Sequence, residues 1–83
     1  MTAQRPTATD LAWVRAACET GLARAIRLRA RLSQAETGVN VGVSHVTVSR
    51  WEAGKRFPRG QAAVRYARLL RRLERMASEE GAA

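Results

Sequence analysis

Two helix starts and one glycine turn lie close together in the middle of the chain, and this pattern constrains the fold more than any other feature. Ser33 has a glutamate three residues later, which is the spacing of a capping box at the start of a helix. Gly42 can end that helix because glycine adopts left-handed backbone angles at little cost. Ser44 can then cap a second helix. The pattern predicts helices at 33–41 and 45–53, joined by a tight turn.

Gly38 supports the same geometry. A glycine inside a helix costs about 1 kcal/mol relative to alanine, so its presence needs a reason. It lies one helical turn before Gly42, where two helices joined by so short a turn must cross and need a small residue. Val43, Val48 and Trp51 share one face and are predicted to hold the second helix on the core. The face expected to remain exposed consists of His45, Val46, Thr47 and Arg50.

The rest of the chain is predicted to be helical. Apolar residues recur at helical spacing, and the alternation typical of strands is almost absent. We therefore expect an all-α fold, with three further helices at about residues 9–19, 22–31 and 60–78. Thr20-Gly21 either separates the first two or only bends one longer helix.

The length and composition predict one small domain. The chain has 83 residues, of which 46% are hydrophobic and 27% charged, as is typical of globular proteins. We assign the domain to residues 7–78. Residues 1–6 are predicted to be a flexible arm and residues 79–83 a disordered tail. Trp13 is expected to anchor the first helix across the core.

The charge indicates a polyanionic partner. The formal net charge is +8, and the excess lies between Arg24 and Arg75. An excess of this size on a small domain favours binding to a polyanion; the alternative is a charged surface that only keeps the protein in solution. Arg27 and Arg31 are expected to face water and are weaker candidates for phosphate contacts.

The residues offer little for catalysis or metal binding. Cys18 is the only cysteine and His45 the only histidine, so neither an internal disulfide nor a Cys/His metal cluster can form. We expect Cys18 to be a buried structural thiol. We predict no enzymatic activity, no metal, no cofactor and no small-molecule ligand. Because no apolar segment reaches membrane-spanning length and no signal segment is evident, a cytoplasmic location is expected.

The stretch SQAETGVNVGVSHVTVSRWEAGKRFP, which begins at Ser33, resembles the helix-turn-helix of the Cro / lambda-repressor family, also called the xenobiotic-response-element family. Ser33-Gln34 matches the start of the first motif helix, Gly42-Val43-Ser44 matches the turn, and the tryptophan, glutamate, glycine, arginine and proline that follow match the family's ending. The resemblance covers about residues 22–73. It implies a small lambda-repressor-like helical bundle, to which the segment before Leu22 adds an extra N-terminal helix.

Two residues depart from the family pattern. Gly38 stands where alanine is usual, and Thr37 stands where a large apolar residue is usual, which removes core area. The spacing of Trp51 with Val48 favours a core position over base stacking. Glu52 is expected to be structural and to pair with an arginine of the last helix.

The resemblance implies a function in DNA binding. In such domains the second motif helix enters the major groove with its N-terminal residues on base edges. The positions that carry over as base contacts are Ser44, His45, Val46, Thr47 and Arg50. The candidates for phosphate contacts are Gln34, Lys55, Arg56 and Arg59. The expected activity is that of a sequence-specific, double-stranded DNA-binding transcriptional regulator, a Cro-like repressor that acts by operator occupancy and is associated with the nucleoid.

Several alternatives remain open from the sequence. An antitoxin with a protein partner fits the same motif, and the charge also permits a nonspecific nucleic-acid-binding protein. A basic amphipathic helix lying on a membrane surface is disfavoured by the motif that precedes the last helix. Leu69, Leu73 and Met76 either complete the core of the monomer or form the seam of a homodimer on DNA.

Overall fold

The computed structural model describes residues 8–82, together with the side chains of residues 8–80. In this part of the chain the secondary structure is entirely α-helical. The five helices are α1 (Ala8–Thr20), α2 (Leu22–Arg29), α3 (Gln34–Val41), α4 (His45–Glu52) and α5 (Gly60–Ala82). The predicted all-α fold is confirmed, whereas the predicted flexible arm at residues 1–6 lies outside the described residues.

One helix boundary that the sequence left open is now defined, and two helix ends differ from the predictions. Gly21 adopts a left-handed conformation with φ of 88°, so that α1 and α2 are two helices and not one bent helix. The second helix ends at Arg29, and Arg31 follows it with φ of 62°, a conformation that a continuing helix cannot hold. The last helix continues to Ala82, past the predicted end at 78 and into the segment predicted as a tail, because that segment contains no proline and two glutamates that favour helix.

One apolar core joins all five helices. The long helix α5 packs on α1, α2 and α3, and α1 also packs on α2 and α4. Trp51 of α4 and Tyr66 of α5 place their ring centroids 4.8 Å apart, which fixes α4 against α5. The residues of the core cluster are Val14, Ala17, Cys18, Ala23, Ile26, Val41, Trp51, Ala63, Tyr66, Ala67 and Leu70. The extra N-terminal helix is therefore part of the same core as the motif.

Two predictions for α1 are confirmed. Trp13 packs against the core, and the Arg71 guanidinium lies 4.6 Å from the centre of its ring. The same guanidinium donates to Asp10 at 3.1 Å, so that Arg71 ties α5 to the start of α1. Cys18 is buried, and burial in apolar surroundings raises the pKa of its thiol to about 11. It remains a thiol at neutral pH and serves as a core residue.

The turn between α3 and α4 has the predicted geometry. Gly42 ends α3 with φ of 90°, and the backbone N–H groups of Gly42 and Val43 both donate to the carbonyl of Gly38, at 2.7 and 2.9 Å. A Cβ atom at position 38 would collide with the carbonyl oxygen of Val43 and lie 3.3 Å from the carbonyl carbon of Ser44. The close crossing of the two helices therefore requires glycine.

Thr37 is a weak point in this crossing. Its side chain is fully buried, and within residues 8–80 its hydroxyl has no hydrogen-bond partner. A buried hydroxyl without a partner loses its hydrogen bonds to water on folding and receives nothing in return. The departure from the family pattern at this position thus leaves an unsatisfied polar group as well as a smaller side chain.

Replacing Thr37 by valine is expected to stabilise the protein, because valine has nearly the same shape and lacks the hydroxyl. We predict that Thr37→Val raises the free energy of unfolding by about 1–2 kcal/mol. Urea denaturation followed by circular dichroism measures the change, with Ser78→Ala, which removes a hydroxyl at an exposed position of α5, as the control. An unchanged or lower stability would contradict the description of the Thr37 hydroxyl as unsatisfied.

Arg27 and Glu52 correct two predictions. Arg27 was expected in water, and Glu52 was expected to pair with an arginine of the last helix. Arg27 is instead only 7% exposed, and its guanidinium donates to both oxygens of Glu52, at 2.5 and 2.9 Å. Its third bond, 2.8 Å long, goes to the carbonyl of Leu32, and the Gln34 amide donates to Glu52 at 3.1 Å. The partner lies in α2 because the end of α4 packs towards α2 and the start of α3.

Breaking this buried pair is expected to destabilise the fold severely. Glu52→Gln removes the negative charge and leaves the Arg27 guanidinium buried without it, which we predict to cost about 3–5 kcal/mol of unfolding free energy. Glu74→Gln, at an exposed position of α5, is the matched control. A loss below about 1 kcal/mol in urea denaturation would mean that the pair behaves as a surface ion pair.

Candidate nucleic-acid interface

The helix α4 presents one face to the core and the other to solvent. Val48 and Trp51 are buried, as predicted, which fixes the helix's rotation about its own axis. Ser44, His45, Val46 and Arg50 are exposed, while Thr47 is half-buried. Four of the five predicted base-contacting residues therefore lie open to solvent, and the fifth lies at the edge of the exposed face.

The start of α4 is held by its cap. The Ser44 hydroxyl accepts a hydrogen bond from the backbone N–H of Thr47 at 3.2 Å, and the two hydroxyl oxygens lie 3.3 Å apart. The capping box of α3 is also complete, since the Ser33 hydroxyl accepts from the N–H of Glu36 and the Glu36 carboxylate accepts from the N–H of Ser33. Both motif helices thus begin at a defined residue with satisfied backbone groups.

Two shallow depressions flank the exposed face of α4 and share Arg50. The first is lined by Gln34, His45, Val46, Ser49, Arg50, Ala53 and Lys55. The second is lined by Thr47, Arg50, Trp51, Arg56, Phe57 and Arg59. Every predicted site residue except Ser44, the cap of α4, lines one of the two. Ser49 was left out of the sequence-based site and lines the first depression from the flank of the helix.

The predicted phosphate-contacting residues differ in their surroundings. Lys55, Arg56 and Arg59 are exposed, and within residues 8–80 none of them forms an ion pair. Gln34 is half-buried, and its amide already donates one hydrogen bond to Glu52. Its NH₂ group keeps a second hydrogen, so that Gln34 can donate outward while Glu52 holds its orientation.

Residues 20–78, well over half of the chain, match a family model described as a helix-turn-helix domain. The chain belongs to the helix-turn-helix domain family. Comparison with curated proteins and with solved structures gave no match. Membership of this family makes the chain a DNA-binding regulator in general terms. The matched segment contains α2, α3, α4 and α5 as far as residue 78, so that α1, apart from its last residue, precedes the family domain.

The helix-turn-helix domain carries an exposed aromatic residue that sequence reasoning missed. Phe57 is 58% exposed and lies in the basic loop after α4, which consists of residues 53–59. The Arg15 guanidinium of α1 lies 4.5 Å from the centre of its ring, and the Nε–H of Arg15 donates to the carbonyl of Pro58 at 2.9 Å. No local pattern could have predicted this contact, because Arg15 and Pro58 are 43 residues apart in the sequence.

Among residues 8–82, no group of three or more histidine, cysteine, aspartate or glutamate side chains could hold a metal ion. In the same range, no helix combines the length and the apolar character needed to cross a bilayer.

Proposed function

We propose that this helix-turn-helix protein is a sequence-specific, double-stranded DNA-binding transcriptional regulator, and that it is a Cro-like repressor. The observation that carries the proposal is the exposed face of α4, which is flanked by cations that form no ion pair within residues 8–80, while Val48 and Trp51 hold its opposite face in the core. A rigid helix with an open polar face and adjacent cations suits the major groove of DNA.

In the proposed complex, α4 is the recognition helix. Arg50 lies between the two depressions and is suited to a bidentate contact with a guanine. His45 can donate or accept at a base edge, and Val46 or the methyl group of Thr47 can contact a thymine methyl. Ser44, the cap of the helix, lies at the end that enters the groove first.

The phosphate contacts are assigned to residues on either side of α4. Gln34 and Lys55 line the depression on one side of the exposed face, and Arg56 and Arg59 line the depression on the other side. Because phosphates carry no sequence information, these contacts fix the position of α4 and leave discrimination to the base-contacting face. Occupancy of an operator at the nucleoid then blocks access of the polymerase.

We further propose that the protein binds DNA as a homodimer, since one short recognition helix contacts few base pairs. Leu69 and Leu73 pack against the core of the monomer, whereas Met76 is 51% exposed. Of the residues considered for a dimer seam, Met76 is therefore the one most available to a second copy. Selection of bound sequences from a random duplex pool tests this directly, because a dimer selects two half-sites about one helical turn apart.

Replacing Arg50 tests the assignment of sequence recognition. We predict that Arg50→Ala lowers affinity for the duplex selected by the wild-type protein by about 5- to 150-fold, corresponding to about 1–3 kcal/mol. Affinity for a random duplex should fall far less. Arg72→Ala, which removes the same charge from an exposed position of α5, is the matched control in a fluorescence-anisotropy titration. Equal losses on both duplexes would remove Arg50 from the base-contacting set.

The affinity is expected to depend steeply on salt. If a dimer neutralises six phosphates, the association constant should fall by about three decades between 50 and 200 mM salt. The measurement is a titration series at several salt concentrations with the selected duplex, a random duplex and RNA as competitors. A flat series would contradict the phosphate contacts, and equal competition by all three nucleic acids would favour the nonspecific alternative.

A further inference from the structure

The helix α1, which precedes the matched family domain, contacts the basic loop through the side chain of Arg15. Arg15 lies 4.5 Å above the ring of Phe57 and donates to the carbonyl of Pro58 at 2.9 Å. Both contacts fall on the half of the loop that leads into α5. This loop, residues 53–59, also carries the three cations assigned to phosphate contacts.

The two halves of this loop are held by different groups. The first half is tied to the last turn of α4, since the N–H groups of Gly54, Lys55 and Arg56 donate to the carbonyls of Trp51 and Arg50 at 2.9–3.4 Å. In the second half, Pro58 is buried and has no N–H, so that its carbonyl is its only backbone hydrogen-bonding group. The side chain of Arg15 satisfies that carbonyl.

The Phe57 ring adds the second contact. More than half of its surface is exposed, so core packing does not hold it in place. Stacking by a guanidinium stabilises a ring at such a site through the attraction between the cation and the ring face. Arg15 therefore contacts two successive residues of the loop, with Arg56 before them and Arg59 after them.

We propose that Arg15 is a positioning residue for DNA binding: it holds the basic loop against α1, so that Arg56 and Arg59 are placed for phosphate before DNA arrives. This inference rests on the proposed function. A loop that is already in place loses less conformational freedom on binding, and the affinity rises accordingly. Since Arg15 lies outside the matched segment, α1 supplies this placement in addition to the family domain.

The loop contact can be measured without DNA because Phe57 is the only phenylalanine in the chain. Incorporated fluorophenylalanine gives one ¹⁹F resonance that reports on the surroundings of this ring. We expect Arg15→Ala to shift that resonance towards the value of the unfolded protein, while circular dichroism shows the helices intact. Arg75→Ala, an equal loss of charge at an exposed position fifteen residues into α5, is expected to leave it unchanged.

Binding of the selected duplex is then compared among the variants. We expect Arg15→Ala to lower the affinity by about 5- to 10-fold and Arg75→Ala to change it by less than about twofold. Because the Phe57 ring also lines the second depression, the double variant is included to separate loss of placement from loss of a direct contact between the ring and DNA. Phe57→Ala changes no charge and removes the exposed ring on which Arg15 stacks. It should weaken binding as well, and the double variant should bind no more weakly than Arg15→Ala.

The outcomes separate the two proposals. An unchanged ¹⁹F resonance in Arg15→Ala, or a changed resonance with an affinity equal to that of Arg75→Ala, overturns the positioning role while the proposed function stands. Full affinity of Phe57→Ala together with weak binding of Arg15→Ala overturns it in favour of direct phosphate contact by Arg15. Failure of the wild-type protein to select or bind any duplex overturns the proposed function, and the positioning role with it.

Discussion

The close approach of α3 and α4 at Gly38 is the constraint on which the rest of the structure depends. With no side chain at this position, the carbonyl of Gly38 receives the N–H groups of Gly42 and Val43, and the carbonyl oxygen of Val43 lies too close to leave room for a Cβ atom. The two helices are consequently joined by a turn with almost no freedom. Once α3 is docked on the core, the turn determines the direction in which α4 leaves α3. That direction also determines where the exposed face of α4 points.

A second, polar constraint sets the orientation of α4 from its other end. Glu52 at the end of α4 accepts from Arg27 of α2 and from Gln34 at the start of α3, so that one carboxylate connects three helices. Because the carboxylate is buried, the loss of one of its partners would cost stability. Hydrogen bonds are directional, so these bonds restrict the relative positions of the three helices more than apolar contacts do. Nearby, the buried Tyr66 hydroxyl has no hydrogen-bond partner among the described residues, and burial raises the pKa of both Tyr66 and Cys18.

The helix α1 extends this small domain in two ways. It adds Val14, Ala17 and Cys18 to a core that would otherwise be built from four helices, three of them of eight residues each. It also reaches across to the loop after α4 through Arg15. A domain of this size buries little apolar surface, so the core residues that α1 adds contribute to its stability. The same helix also orders the exposed loop through Arg15.

Local chemistry in the sequence determined the helices, the caps at Ser33 and Ser44, the turn at Gly42 and the need for a small residue at position 38. Each of these depends on residues within a few positions of one another, and the periodicity of α4 likewise separated its buried face from its exposed one. Contacts between distant residues were decided only by the tertiary structure. It placed Arg27 in the core with Glu52, left the Thr37 hydroxyl unsatisfied, and brought Arg15 to Phe57 and Pro58. An arginine on a helix has the same local pattern whether it faces water, a buried carboxylate or an aromatic ring, and only the packing of the helices selects among these partners.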